Sequence, residues 1–319
     1  MATELLDLVT PETAGDPMGQ RKWVRSSLRQ LSHGLAQAGY AASAPTVSRL
    51  LKKHDYALRV NVKEKEAGTH HPDRDTQFHH IEAQKAAFAA AGYPIIRVDT
   101  KQKELIGDFK NAGQTWCQRP IEVNVHDFPS DALGRAVPDG IDDVQRNVGA
   151  VYVGASADTP EFAVMAIAHW WEDIGGSAYP QARQLWILAD AGGSHGCRPR
   201  LWKEQLQRQL CDRLGLSVTV CHDPTGCSKW NPIEPRLFSH MSLNWAGQPL
   251  RTLETMLSYL RGTTTATGLR VTASLIEDVY ETGKRVADAV MKTLQVEHDV
   301  VCPQWNYTIR PGLRGALAT

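Results

Sequence analysis

No two cysteines in this chain have CxxC spacing. The six, Cys117, Cys197, Cys211, Cys221, Cys227 and Cys302, are scattered over 319 residues. Such scatter in a long chain reads as reduced thiols in a cytoplasmic setting and excludes a disulfide scaffold. The run 221-CHDPTGC-227 lacks a second ligand pair at finger spacing, so no structural zinc is expected. No apolar run approaches the roughly 18 residues that span a bilayer. The N-terminus, MATELLDLVTPETAGDP, is acidic and has no signal-like apolar stretch. Internal repeats and low-complexity tracts are missing as well. Net charge is zero, with 35 Lys and Arg against 35 Asp and Glu, so bulk charge names no partner.

What is present is unevenly placed. Between Arg21 and Lys65, ten Lys or Arg stand against two acids, Asp55 and Glu64. A strongly basic segment in a neutral chain suits an anionic partner. Val24, Leu28, Leu31 and Leu35 recur at helical spacing from Trp23 onward, and Gly39 ends that helix. Ser43 caps the next, with Pro45 in its first turn. Its buried face is Val47, Leu50 and Leu51; its outer face shows Thr46, Ser48, Arg49, Lys52 and Lys53. Two short helices with a basic second face suit a DNA-binding helix-turn-helix, and 57-ALRVNV-62 suits a wing. The His70–His71 and His79–His80 pairs point to different faces and read as linker rather than metal site.

The remainder alternates. A helix over 80–92 precedes strand 94-PIIRVD-99, a hairpin partner at 103-KELIGDF-109 and a Gly-, Pro- and Asp-rich excursion over about 111–147. Strand 148–155, a helix capped by Asp158, strand 185–190, a helix over 199–214 and strand 217–222 follow. This predicts a mixed α/β sheet flanked by helices, in the element order of a ribonuclease H-like fold. A C-terminal helix (Leu250, Leu253, Leu257, Leu260), strand 268–274, a second helix over 275–292 and an extended end complete it. The expected plan is therefore a leader or linker (1–20), a helix-turn-helix-like domain (21–66) and a linker with a helix (67–92). A catalytic core (93–247, insertion at about 111–147) and a C-terminal α/β extension (248–319) follow.

Three acids stand at element ends. Asp99 follows 95-IIRV-98, Asp190 follows 185-LWILA-189, and Glu234 lies near a helix start. Two-metal phosphoryl transfer needs carboxylates from separate elements converging on hard cations about 3.5–4 Å apart. Lys101, Lys103 and Lys229 are candidates for phosphate contact, with solvated strand-edge lysines the alternative at 101 and 103; Trp230 reads as a buried tryptophan, with stacking on a base the alternative. His195 and Ser228 border the same region.

The runs 98-VDTKQKELIGDFKNAG-113, 126-HDF-128, 158-DTPEFAV-164 and 170-WW-171 make the resemblance specific. So do 189-ADAGGSHGCRPRLWK-203, 221-CHDPTGCSKWNPIEPRLFSHMSLNWAG-247, 262-GTTTATGL-269 and 306-NYTIRP-311. Over about residues 20–311 the chain resembles the Rhodopirellula-type DDE transposases of bacterial insertion sequences. The resemblance implies a ribonuclease H-like catalytic domain, Mg²⁺ or Mn²⁺ (two ions), and cutting and joining of double-stranded DNA at element ends and target. It implies a homo-oligomer on DNA and places the catalytic and metal-binding acids at Asp99, Asp190 and Glu234. Members usually run longer at the N-terminus, carry His where this chain has Pro235, and Gly where it has Ala191.

Two rival readings remain. 192-GGSHG-196 fits G-x-S-x-G after a strand, with Ser194 as a hydrolase nucleophile and Asp223 with His240 or His298 as partners. A transposase-derived DNA-binding protein without catalysis is the other. Within 229-KWNPIEPRLFSHM-241, Asn231 and Glu234 have capping-box spacing. Pro235 weakens it by disfavouring helical geometry at Glu234. The expected helix start is Pro235, with Glu234 as cap residue and free to bind metal, and Ile233, Leu237 and Met241 as the buried face.

Overall fold

Ser27 and Ser43 each cap a helix in the first of two units, Met1–Ala67 and Gly68–Thr319. The computed structural model describes residues 1–15, 22–24, 26–57, 71–115, 117–227 and 231–312. The first unit holds α1 (Ala2–Glu12), a ribbon of β1 (Thr13–Gly15) and β2 (Lys22–Val24), α2 (Leu28–Gln37) and α3 (Ala44–Lys53). The 1–20 stretch is thus not all leader. Leu5 and Val9 of α1 are buried in one cluster with Leu31, Leu35 and Val47. The Pro and Gly residues after Thr10 hid that apolar spacing. Trp23 and Val24 lie on a strand; the helix begins at Leu28, where Ser27 and Gln30 form a reciprocal capping box. Gly39, at φ +86°, ends it. Ser43 caps α3 as expected. The predicted wing at 57–62 falls almost wholly outside the described residues.

The second unit opens with α4 (Arg74–Ala90), then β3 (Ile95–Thr100), β4 (Glu104–Ile106), β5 (Gly134–Asp143) and β6 (Val148–Gly154). Helix α5 (Pro160–Trp170) runs on through a π-helical turn into the short α6 (Gly176–Ala178). After it come β7 (Gln184–Ala189), α7 (Arg200–Gln205) with its own π-helical continuation to Asp212, and β8 (Ser217–His222). A third π-helical turn, Glu234–Phe238, leads into α8 (Ser239–Asn244). The end comprises α9 (Leu253–Arg261), β9 (Arg270–Ile276), α10 (Asp288–Met291), β10 (Val296–His298) and β11 (Asn306–Ile309). Nine strands form one mixed sheet in the order β10-β11-β8-β7-β3-β5-β6-β9, with β4 paired to β5. β7 runs parallel to both β3 and β8; β5 runs antiparallel to β3 and β6.

Several expectations change. α4 starts at Arg74 rather than near residue 80, and buried Gln77 donates to the His222 carbonyl and to Asn306 Oδ1. β4 pairs with β5, not β3. Thr159, not Asp158, caps α5, accepting from the Phe162 N–H at 3.2 Å. The expected helix over 275–292 shrinks to Asp288–Met291, with Gly283 at φ +80° in the exposed loop before it.

The largest change is β5, expected inside an insertion. GRAVPDGIDD carries turn residues and three aspartates, yet Asp139, Asp142 and Asp143 are fully buried. Each has a partner there: His195 for Asp139, Arg97 and Arg236 for Asp142, and Tyr179 for Asp143. A buried charge is tolerated when paired. Gly140 and Gly149 admit Phe238 and Leu237 against the sheet, since a Cβ would meet those rings and methyls at 2.3 Å and 2.6 Å. That seats the turn carrying Glu234 on the sheet.

Candidate active site

Strand register brings two acids together. Val98 pairs with Ala189 across the parallel β3–β7 ladder, so Asp99 and Asp190 occupy the next level on adjacent strands. Ala189 pairs with His222 across β7–β8, which puts Asp223 at that same level on the third strand. Residues at one level of parallel neighbours face the same side. Burial pushes Asp99 up to about 7; His195 opposes this, while the charges of Asp190 and Asp139 add to it. Burial also raises Asp190, against its bond to the Ala191 N–H and the pull of His195. Asp223 is pushed up to about 7 by burial, with Asp190 adding and Arg97 opposing. Its Oδ2 has no hydrogen-bond partner among the described residues. A cavity of about 390 Å³ opens beside Asp190, lined by Gly192, Gly193, Arg198 and Thr225.

Glu234 does not join them. It is exposed at the first position of its turn, and among the described residues no three His, Cys, Asp or Glu side chains gather closely enough to hold a metal. The turn begins one residue earlier than expected, with Ile233 in helical geometry (φ −67°, ψ −33°) as cap. The Ser239 N–H reaches the Glu234 carbonyl, an i to i+5 bond. Pro235 stands in the first turn, where its missing N–H costs no intrahelical bond. The capping box is not formed. Asn231 Oδ1 accepts instead from the Ile233 N–H at 3.2 Å, and its amide donates to Asp99 Oδ2 at 3.1 Å.

Beneath the acids lies a polar layer. His195 Nε2 is 3.1 Å from Asp139 Oδ2, and His195 Nδ1 is 3.3 Å from Ser194 Oγ. Burial alone would lower His195, but Asp139 outweighs it and the imidazole ends above its ordinary value. Thr100 Oγ1 bridges Ser194 and Asp139. Ser194 is only 7% exposed, and the positive φ of its turn falls on Gly193. A nucleophile elbow instead presents its serine on a strained, open turn. Among the described residues, neither Asp223, His240 nor His298 bonds to Ser194.

The expected DNA contacts divide. Arg49, Lys52 and Lys53 are exposed on α3; Thr46 and Ser48 are half-buried, and the Thr46 hydroxyl bonds to Ser43. Lys101 is held inside, with Nζ 2.5 Å from Glu104 and 5.1 Å from the Trp245 ring centre. Lys103 is half-exposed, 3.6 Å from Asp158. Lys229, Ser228 and Trp230 lie outside the described residues.

Sequence reading missed Asn231 as a partner of Asp99, His195 as a charge among the acids, and Asp139. Asp223 was legible: it follows 217-SVTVCH-222 as Asp99 and Asp190 follow their strands.

No curated protein matches the chain. Among solved structures it is similar to the Mos1 transposase paired-end complex with left transposon end, at 14% identity and TM-score 0.44. That match covers 82% of this chain and 69% of the other. It is similar also to the Mos1 mariner paired-end complex with Mn, at 13% identity and TM-score 0.43, covering 82% and 70%. The Mos1 strand transfer complex gives 14% identity and TM-score 0.43, covering 82% and 69%. The family described as Rhodopirellula transposase DDE domain matches residues 4–311, nearly the whole length. The chain belongs to the Rhodopirellula transposase DDE domain family.

Proposed function

We propose that the chain is a metal-dependent DNA transposase with a ribonuclease H-like core. It hydrolyses a phosphodiester at the element end, breaking the P–O3′ bond to free a 3′-hydroxyl. That hydroxyl then attacks a target phosphorus and displaces the target's own 3′-oxygen. The observation that carries this is Asp99 beside Asp190 at one level of two adjacent parallel strands. The core order β6-β5-β3-β7-β8 supports the fold reading.

The donor set suits Mg²⁺ or Mn²⁺. Burial raises the cost of ionising both carboxylates, and the charge of Asp190 adds to it at Asp99, a cost that a hard dication relieves. Asp99 and Asp190 would hold it, with Glu234 joining after a movement of its turn. A dication in this position supplies Lewis-acid polarisation of a phosphoryl oxygen and neutralises developing charge. The chain's own residues orient the acids. Asn231 and the Thr100 N–H each bind one oxygen of Asp99. Lys103, exposed beside the strand end, is placed for phosphate, and Arg49, Lys52 and Lys53 for the duplex backbone.

The test is nicking of a labelled element-end duplex in Mg²⁺ or Mn²⁺. Asp99→Asn and Asp190→Asn are expected to lose it while still binding DNA. Cutting at the wild-type rate by both would sink the proposal. A second reading, a DNA-binding protein without catalysis, is favoured by one observation: Glu234 stands clear of the two aspartates. It predicts duplex binding with no nicking in either metal.

A further inference from the structure

Asn231 follows β8 and is 3% exposed. Its Oδ1 accepts from the Ile233 N–H, a local turn that asparagine forms readily. An amide whose oxygen faces an N–H must turn its NH₂ the other way, which fixes the orientation without ambiguity. That NH₂ meets Asp99 Oδ2 at 3.1 Å. Asp99 Oδ1 accepts from the Thr100 N–H at 2.9 Å. Each oxygen of Asp99 therefore holds one donor, which fixes the carboxylate plane, and each keeps a second lone pair to offer.

The far end of this link is equally well anchored. Ile233, Leu237 and Phe238 are buried in one cluster, and Phe238 sits over Gly140, the register partner of Asp99. Asn231 thus connects the Asp99 carboxylate to a turn packed on the same sheet, and Glu234 is three residues along. An alanine or serine here leaves the turn a place to sit but leaves Asp99 Oδ2 without its donor.

We infer that Asn231 is a positioning residue whose amide holds the Asp99 carboxylate in one orientation for a divalent cation and ties it to the segment carrying Glu234. The inference rests on the transposase reading, because the cation belongs to it.

The test is Mn²⁺ binding to the full-length chain without DNA, followed by electron paramagnetic resonance, with melting temperature recorded beside it. Asn231→Ser keeps a hydroxyl that accepts from the Ile233 N–H but is too short to reach Asp99. It is expected to melt like the wild type and bind Mn²⁺ about tenfold more weakly, the scale of one hydrogen bond to a charged group. Asn231→Asp keeps the shape and the acceptor but turns a carboxylate toward Asp99. It is expected to bind Mn²⁺ about tenfold more tightly, since ligand charge sets such affinities. An affinity within twofold of wild type in whichever variant folds overturns the inference. Asp190→Asn in the same titration separates the two claims. If it removes Mn²⁺ binding while the Asn231 variants do not change it, only the positioning role fails. If it leaves binding intact, the metal site itself fails.

Discussion

His222 Nδ1 lies 2.9 Å from the carbonyl oxygen of Asp190. A carbonyl only accepts, so Nδ1 carries the proton. Burial pushes His222 down to about 3, so the ring is neutral and Nε2 must accept. Its donor is the Tyr307 hydroxyl at 3.0 Å, which in turn accepts from Trp202 Nε1 at 2.8 Å. All three side chains are essentially inaccessible. The chain Trp202 to Tyr307 to His222 to Asp190 has one possible direction and pins the backbone at a candidate ligand from the far strand β11. Tyr307→Phe orphans His222 Nε2 and Trp202 Nε1 together. It is expected to cost about 1–3 kcal/mol in urea unfolding and to weaken Mn²⁺ binding. Full stability and unchanged binding would show the relay to be idle.

The raised acids set a pH dependence opposite to that of a salt-bridged carboxylate. Asp99 and Asp223 sit at about 7 when folded against an ordinary 3.8, so the folded state holds protons the unfolded chain releases. Their contribution is fully present below about pH 4 and is lost as pH rises through about 7. His195, raised above 6.5, works in the same direction. Melting temperature in EDTA is expected to fall between pH 5 and pH 8, and saturating Mn²⁺ to restore it at the alkaline end. Asp99→Asn is expected to flatten the fall. A melting temperature in EDTA that climbs over that range would contradict the burial of these acids.

Asp139 faces His195 with both fully or almost fully buried. Removing one member of such a pair strands the other charge, at a cost of about 3–5 kcal/mol. Asp139→Ala is therefore expected to lower stability by that order, and Asp139→Asn by less, because its amide still fills the space. Equal stability of all three proteins in chemical denaturation would mean the pair contributes nothing.

These residues also mark where sequence reading works. β3 (IIRVDT), β7 (QLWILA) and β8 (SVTVCH) are mostly apolar or β-branched, largely buried runs with an Asp near or just past the end, which made their position legible. β5 was not, because its polar residues look like a turn until Arg97, Arg236, His195 and Tyr179 arrive from distant segments to pair with them. α1 was obscured by Pro11 in its last turn and by Gly15 and Pro17 after it, although Leu5 and Val9 have helical spacing. Asp99 and Asp190 were legible singly from strand ends, and their adjacency needed the β3–β7 register. Asn231 and Glu234 have the spacing of a capping box, but Asp99, 132 positions away, takes the amide.

Arg49, Lys52 and Lys53 are exposed on α3, whose other side packs Val47 inward. Every phosphate that is no longer neutralised is expected to reduce the slope of log affinity against log salt by about 0.9 for duplex DNA. Arg49→Ala with Lys52→Ala is expected to weaken duplex binding and flatten that slope by nearly two. The fold is expected to be unaffected, since exposed side chains cost little when truncated. Binding with wild-type salt dependence would remove α3 from the DNA-contacting surface.

Gly140 offers a way to move the Glu234 turn without touching an acid. A Cβ at that position would stand 2.3 Å from Phe238 Cε1 and 3.3 Å from Leu237 Cδ2. Both contacts lie on the Glu234–Phe238 turn, and both side chains are buried. Gly140→Ala must therefore lift the turn from the sheet, at the roughly 1–3 kcal/mol that overpacking costs. If Glu234 completes the metal site from this turn, nicking should fall about tenfold or more while Mn²⁺ binding by Asp99 and Asp190 falls less. Glu234→Gln should show the same split with no loss of melting temperature, since the side chain is exposed. Wild-type nicking in a destabilised Gly140→Ala protein would place the catalytic glutamate elsewhere than on this turn.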